Sequence, residues 1–139
     1  MNPHILMVAP NGRAQESLRI LLSSLPFTII GPVGDARSAL ALIQEWRPAL
    51  VVLDFALPKV EVTEVLERLQ TRWPEIHCLA LVETAEQMME AKTDQAEAIL
   101  FKGYRLDELL AVINRLLTSH LPAPPGARPA SEEGKADES

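Results

Sequence analysis

The sequence predicts an α/β fold in which five parallel strands, in the doubly wound order 2-1-3-4-5, are covered on both faces by five helices. Two observations predict this fold. Short apolar runs alternate five times with segments of helical periodicity, in units of about 23 residues. The strand candidates are continuously apolar rather than alternating, which is typical of parallel strands that are buried on both faces.

The first unit and the second strand are marked by apolar runs and turn residues. Ile5–Val8 is a compact strand candidate. Asn11 is a possible N-cap for a helix whose apolar face runs over Ala14–Leu25 at a 3.6-residue period. Phe27–Ile30 is rich in strand-forming residues, and we expect Gly31-Pro32 to close this strand.

Clear end signals bound the second and third helices. Asp35 is the expected cap of the second helix, which ends near Trp46 because Pro48 disfavours helical backbone before it. Leu50–Leu53 is the most strand-like run in the chain. The third helix has its apolar face over Val62–Leu69 and ends before the next proline.

The last two units complete the pattern. Cys78–Val82 is the fourth strand, with Cys78 interpreted as a small core residue. Thr84–Gln87 forms a capping box for a weaker fourth helix that runs to about Ala91. Ile99–Phe101 is a short fifth strand, and Leu106–Leu117 is a strongly amphipathic fifth helix.

Charge and composition exclude several classes of function. The formal net charge of −6 argues against a nucleic-acid partner, which requires a basic face. No apolar run reaches the roughly 18 residues of a membrane span, and the N-terminus lacks the features of a signal peptide. The single cysteine permits a reducing compartment. We expect a cytoplasmic protein without a membrane partner.

The composition changes near Leu121. The residues from 121 to 139 include four prolines and two glycines, with no large apolar residue after Leu121. Such a segment cannot bury enough surface to offset its ordering entropy. We therefore predict one domain over residues 1–120 and a disordered tail rich in Pro, Ala and Glu over residues 121–139, which is either a native end or the start of a linker.

The strand ends carry the candidate chemistry. In an open parallel sheet, ligands bind outside the carboxyl ends of the strands. Asp54 directly follows the third strand and Lys102 follows the fifth, so both side chains are expected at one crevice. Because charged pairs can be purely structural, their spacing leaves a structural and a functional role both open.

The motifs around these two residues resemble a known family. The run VVLDFALP (Val51–Pro58), followed later by FKG (Phe101–Gly103), closely resembles the receiver domains of two-component response regulators. The resemblance extends from about Ile5 to Leu117 and implies a flavodoxin-like fold with a signalling rather than an enzymatic role. It also implies that Asp54 corresponds to the phosphoacceptor and Lys102 to the lysine that contacts the phosphoryl oxygens.

The sequence departs from this family at the metal site. Receivers usually carry two adjacent acidic residues after the first strand, and Ala9 and Pro10 stand at those positions. Because Mg²⁺ requires oxygen ligands, we expect Mg²⁺ binding to be weak or absent and predict no other metal site. Asn11 and Glu83 offer oxygens nearby, but we interpret both as solvent-facing or helix-capping residues.

A second departure concerns the residues that respond to phosphorylation. The family's Ser or Thr at the end of the fourth strand corresponds to Val82, which cannot donate a hydrogen bond. Its aromatic residue in the fifth strand corresponds to Ile99, which has no ring to rotate. With these parts missing, we predict that Asp54 and Lys102 form a direct ion pair that holds one conformation.

These features favour a protein-interaction module over a phosphorylation switch. As an atypical receiver, the chain would bind a histidine kinase, a phosphotransfer protein or an effector, or would associate with itself. The face implied by the resemblance consists of the fourth helix, the fifth strand and the fifth helix. The alternative is a working phosphorelay receiver that is phosphorylated on Asp54. A catalytic or small-molecule-binding flavodoxin-like protein has only the fold in its favour.

Overall fold

The computed structural model describes residues 3–10 and 12–119. Within these ranges, strands and helices alternate as β1 (His4–Val8), α1 (Arg13–Ser23), β2 (Thr28–Val33), α2 (Ala36–Trp46), β3 (Leu50–Asp54), α3 (Lys59–Arg72), β4 (His77–Val82), α4 (Ala85–Thr93), β5 (Ala98–Phe101) and α5 (Leu106–Ser119). The strands pair in parallel in the order β2-β1-β3-β4-β5. The predicted doubly wound fold is confirmed.

The sheet separates two apolar cores. Side chains of β3 alternate between them: Val51 and Leu53 pack with α2 and α3, whereas Leu50 and Val52 pack with α1 and α5. All residues of β3 and β4 are buried. Continuous apolar runs therefore identified the central strands correctly, because helices cover both of their faces.

The second strand is longer than the sequence predicted. β2 continues through Gly31 and Pro32 to Val33 instead of closing before them. Gly31 has a φ of +91°, and a Cβ atom there would lie 2.9 Å from the carbonyl oxygen of Met7. Glycine thus permits the close approach of β2 to β1 at a shift in their pairing register. Because β2 is an edge strand, its residues are exposed or half-buried.

The N-cap of α1 also differs from the prediction. Its N-cap is Gly12, which makes no side-chain capping hydrogen bond, and the helix begins at Arg13. Gly12 has a φ of +98°, a conformation that favours glycine over a side-chain cap. The predicted cap Asn11 lies outside the described residues. The helix ends at Ser23, so Leu25 follows it rather than belonging to it.

The two other predicted caps are confirmed. The backbone N–H of Ser38 donates to Asp35 Oδ1 at 2.7 Å, and the N–H of Gln87 donates to Thr84 Oγ1 at 3.0 Å. The reciprocal bond of the second cap comes from a neighbouring residue, because the N–H of Glu83 donates to Gln87 Oε1 at 2.6 Å. α4 also continues past its predicted end.

Among the described helices, none combines the length and apolar composition that a membrane crossing requires. The predicted tail over residues 121–139 lies outside the described residues. The domain boundary at residue 120 therefore stays a prediction.

Candidate functional site

The sheet brings Asp54 and Lys102 together, as the sequence predicted. Asp54 is the last residue of β3, and Lys102 directly follows β5. Because β4 lies between these strands, the lysine side chain must reach across two strand spacings of about 4.8 Å each. Its Nζ lies 2.8 Å from Asp54 Oδ2. A backbone bond from the Lys102 N–H to the Val82 carbonyl, 2.8 Å long, anchors the residue at the edge of β4.

The Asp54 carboxylate is almost completely removed from solvent. The residue is 2% exposed. While Oδ2 contacts Lys102, Oδ1 accepts a hydrogen bond of 2.8 Å from the Ala56 N–H. The adjacent backbone is held by a bond from the Phe55 N–H to the Leu81 carbonyl. Both oxygens of the buried carboxylate are thus compensated by groups of the chain itself, which offsets their desolvation.

Ala9 and Pro10 directly follow β1, as the sequence predicted. Ala9 is fully buried, and its N–H donates to the Val33 carbonyl at 2.9 Å. Its carbonyl accepts a 2.7 Å bond from Gln15 Nε2. The methyl group and the pyrrolidine ring offer no side-chain oxygen to the crevice.

Val82 and Ile99 lie on the opposite side of the sheet from the ion pair. Val82 is fully buried in the core under α2, α3 and α4, and Ile99 is a half-buried residue that packs against the same core. Ile99 pairs with Ala80, two positions before Val82 in β4. Neither side chain can donate a hydrogen bond to a group on Asp54.

Gln87 links α4 to the loop that follows Asp54. Its Nε2 donates to the Phe55 carbonyl at 3.2 Å, while its Oε1 accepts the Glu83 N–H. Sequence reasoning found the capping role of Gln87 but missed this link. The link depends on the distance between α4 and the β3–α3 loop, which the local sequence pattern does not contain.

A cavity of about 370 Å³ opens beside the ion pair, and we call it the α1 cavity. It lies between α1, the ends of β3 and β4, and the segment that joins β5 to α5. Its lining combines apolar and charged side chains, namely those of Arg13, Ser17, Leu18, Leu21, Asp54, Leu81, Glu83, Lys102 and Tyr104, together with Gly103.

Tyr104, which lines this cavity, has a hydroxyl whose pKa is shifted by its surroundings. Burial raises the pKa of its hydroxyl, and the negative charge of Asp54 raises this pKa further. The hydroxyl, which is protonated at neutral pH as in any tyrosine, therefore loses its proton only at a more alkaline pH than usual. Sequence reasoning missed Tyr104 and Arg13, although the position of Tyr104 just after Lys102, beyond a strand end, was a usable signal.

The comparison with protein families agrees with this geometry. The family model described as the response regulator receiver domain matches residues 5–114, which include β2 to β5, β1 except for its first residue, and most of α5. The chain belongs to the response-regulator receiver family. The resemblance seen in the sequence is confirmed.

Curated relatives of this receiver are longer proteins. The transcriptional regulatory protein HprR of Escherichia coli is 29% identical over 117 residues, which cover 84% of this chain and 52% of HprR. The response regulator MprA of Mycolicibacterium vanbaalenii is 32% identical over 124 residues, which cover 88% of this chain and 53% of MprA. The receiver spans about half the length of these two relatives.

Solved structures share the fold. The signal receiver domain of an HD domain-containing protein from Pseudomonas fluorescens Pf-5 is 25% identical, with a TM-score of 0.75 over 86% of this chain and 98% of that chain. A response regulator receiver domain protein from Methanospirillum hungatei JF-1 is 22% identical, with a TM-score of 0.74 over 86% of this chain and 97% of that chain. The latter likeness concerns the fold alone.

The side chains around Asp54 offer few oxygen donors to a magnesium ion. Mg²⁺ requires near-octahedral coordination by oxygens, usually anchored by carboxylates. Asp54 is already paired, and Ala9 and Pro10 supply no side-chain donor. Glu83 lines the α1 cavity but is an exposed residue. Within residues 3–10 and 12–119, no three His, Cys, Asp or Glu side chains are grouped so as to hold a metal ion.

Proposed function

We propose that this receiver is an atypical signalling module that acts by protein–protein contact in one fixed conformation, without Mg²⁺-dependent phosphorylation. The observation that carries the proposal is the surroundings of the Asp54 carboxylate. One oxygen contacts the Lys102 ammonium and the other accepts the Ala56 N–H, each at 2.8 Å. The neighbouring side chains of Ala9 and Pro10 bring no further oxygen.

Electrostatics explain why such a site accepts a phosphoryl group slowly. Phosphoryl transfer depends mainly on positioning and on neutralising the charge of the transferred group. Lys102 supplies one positive charge, which Asp54 already compensates. A divalent cation would have to bind beside this neutral pair with no additional carboxylate at the end of β1. We therefore expect Asp54 to be a poor phosphoacceptor.

The contacts of Gln87 and Val82 support a fixed conformation. A receiver that switches needs a donor at the end of β4 that faces the phosphoryl group, whereas Val82 has no donor and its side chain lies on the opposite side of the sheet from Asp54. Gln87 joins α4 to the Phe55 carbonyl in the loop after Asp54. These contacts stabilise one arrangement of α4 relative to the acceptor loop.

Three exposed apolar side chains, one each on α4, β5 and α5, support protein contact at a face that we call the strip. Met89 is 58% exposed, Phe101 is 45% exposed and Leu106 is 41% exposed. Methionine and aromatic residues are enriched in protein interfaces. Met88 packs against the core, whereas the side chain of Met89 faces solvent. We propose this strip as the contact face for a protein partner or for a second copy of the chain.

The phosphorylation part of the proposal is tested with a small phosphodonor. The protein is incubated with acetyl phosphate and Mg²⁺, and its intact mass is measured over time, with Asp54→Asn as the control. We expect no phosphoryl adduct on the natural sequence. The double variant Ala9→Asp/Pro10→Asp, which restores the carboxylate pair, should gain a Mg²⁺-dependent adduct that Asp54→Asn removes.

The alternative function is a working phosphorelay receiver. The retained contact between Asp54 and Lys102 favours it, since both groups lie where phosphoryl chemistry would need them. A clear adduct on the natural sequence that is lost in Asp54→Asn would establish this alternative and exclude the fixed module.

The contact face is tested by sedimentation velocity of the full chain over a concentration series, alone and with a cognate histidine kinase. Met89→Glu and Phe101→Ser should weaken the observed association. Ile20→Glu is the matched control, because Ile20 is 61% exposed on α1, a helix that is not part of the proposed face. Equal association in all three variants would show that another surface is used.

A further inference from the structure

The α1 cavity has the size of a small-molecule site. Its volume of about 370 Å³ lies within the range of ligand pockets, which are mostly apolar clefts with a few placed polar groups. Leu18, Leu21 and Leu81 supply apolar surface, and the ring of the half-buried Tyr104 adds an aromatic wall. A compact apolar group is therefore the natural filling of its interior.

Arg13 gives the cavity a cation that is available to a ligand. It lies in the lining at the start of α1 and belongs to none of the ion pairs found between described residues. Lys102, in contrast, is already paired with Asp54. A guanidinium group presents a planar set of N–H donors that matches a carboxylate in a bidentate manner. Arg13 thus favours a ligand with a carboxylate head.

Glu83 limits the charge that the ligand can carry. Its carboxylate lines the same cavity, and the nearby Asp54 is compensated by Lys102. Glu83 disfavours any negative charge in the cavity, and Arg13 can compensate one such charge but not a second. The lining therefore favours monoanions over dicarboxylates and phosphate monoesters.

We propose that the α1 cavity binds a small monocarboxylate with an apolar body, with the carboxylate on Arg13 and the body against Leu18, Leu21, Leu81 and Tyr104. Aryl and branched-chain carboxylic acids have this chemistry. The site goes beyond the partner-binding function proposed above and does not depend on it, because no phosphoryl transfer or protein contact is required for such a ligand to bind.

The test is a ligand titration of the full chain followed by two-dimensional amide NMR. The probes are phenylacetate, isovalerate and hexanoate, with phenylacetamide as the neutral analogue of the first. We expect saturable shifts centred on the amides of Leu18, Leu81 and Tyr104. Phenylacetamide should bind at least about tenfold more weakly than phenylacetate, because it lacks the charge-assisted bonds to Arg13.

Variants of α1 separate the carboxylate contact from general changes in the protein. Arg13→Gln should weaken phenylacetate by about tenfold and leave the binding of phenylacetamide unchanged. Arg19→Gln is the matched control, since Arg19 is an exposed arginine of the same helix that pairs with Glu16 at 2.8 Å and does not line the cavity. Ser17→Trp should fill the cavity mouth and remove binding of both probes, with the dispersion of the spectrum reporting that the variant is folded.

Three results would overturn the proposal. The first is the absence of saturable shifts for all three carboxylates up to about 10 mM. The second is equal affinity for phenylacetate and phenylacetamide. The third is equal weakening by Arg13→Gln and Arg19→Gln, which would indicate a nonspecific charge effect. None of these results bears on the phosphorylation test, so the two proposals fail independently.

Discussion

At the residue scale, the ion pair between Asp54 and Lys102 is the central feature of the site. Asp54 is 2% exposed, and a quarter of the Lys102 side chain remains exposed. Removing one partner of such a pair leaves a buried charge without compensation, which costs far more than the pair itself contributes. The pair therefore stabilises the ends of β3 and β5 even where it performs no chemistry.

We predict that Lys102→Met lowers the free energy of unfolding by about 2 to 3 kcal/mol, because the Asp54 carboxylate stays buried without its cation. The double variant Asp54→Asn/Lys102→Met should recover part of this loss. Denaturant unfolding measures both effects. Lys92→Met, at an exposed position on α4, is the control and should change stability by less than about 0.5 kcal/mol. An equally small effect of Lys102→Met would show that the pair is energetically neutral.

Cys78 is a buried thiol whose chemistry depends on the folded state. Burial raises the pKa of Cys78 to about 12, and the nearby Glu97 carboxylate contributes to the shift. Because the thiolate is the reactive form, we predict that a thiol reagent such as DTNB labels Cys78 at the rate of unfolding at neutral pH. Labelling at the rate of a model thiol would contradict the burial.

The same shift predicts a pH dependence of stability. The pKa of Cys78 in the folded protein, about 12, lies above the ordinary value of 9.0. The free energy of unfolding therefore keeps the full contribution of the neutral thiol below pH 9 and loses it as the pH rises toward 12. Denaturant unfolding across this window measures the loss. Cys78→Ala should lose less stability over the same window, although other alkaline groups still titrate in both proteins.

At the element scale, α4 is held against the rest of the domain by polar bonds as well as by core packing. Ala91 is the one residue of α4 that is buried. Polar bonds at the start of the helix therefore contribute a large share of the interactions that hold α4 in place. Thr84 caps the first turn, and Gln87 bonds to both the β4–α4 loop and the Phe55 carbonyl. Capping thus positions α4 against the acceptor loop.

We predict that Thr84→Ala destabilises α4 by about 1 kcal/mol, the usual cost of removing a side-chain N-cap. Amide hydrogen exchange should show faster exchange over Ala85–Thr93, with a smaller effect on β3. Thr93→Ala makes the same substitution at the exposed end of this helix and should leave exchange in the first turn unchanged. Uniform acceleration across all helices would mean that Thr84 supports the whole fold.

At the scale of the whole molecule, two cores on opposite faces of the sheet carry the stability. α5 covers one of them together with α1, and its buried positions are Leu109, Ile113 and Leu116. Asp54 and Lys102 lie at the carboxyl ends of the strands, at the edge of the sheet where both cores end. Any loosening of α5 therefore reaches the segment that carries Lys102 and Tyr104.

We predict that Ile113→Ala lowers the free energy of unfolding by about 2 to 5 kcal/mol, since Ile113 is fully buried and its removal leaves a cavity. Thermal or denaturant unfolding provides the measurement. Arg115→Ala, at an exposed position of the same helix, should change stability by less than about 0.5 kcal/mol. A loss below 1 kcal/mol for Ile113→Ala would show that the core relaxes around the gap.

The sequence by itself determined the order of the elements, the parallel sheet and the meeting of Asp54 with Lys102. Hydrophobic runs report burial directly, and the carboxyl ends of parallel strands always share one edge of a sheet. Topology alone therefore predicted a contact between residues far apart in the chain. The caps at Asp35 and Thr84 were equally predictable, because each depends on a few neighbouring residues.

Only the tertiary structure decided the course of β2 through Gly31, the link from Gln87 to Phe55, and the grouping of Arg13 with Tyr104 around one cavity. Each depends on the separation and orientation of segments that the chain does not place side by side. Periodicity indicates which face of a helix is buried, but it does not give the distance between that helix and the next loop. These distances decide whether a polar side chain finds a partner, faces a ligand or remains in solvent.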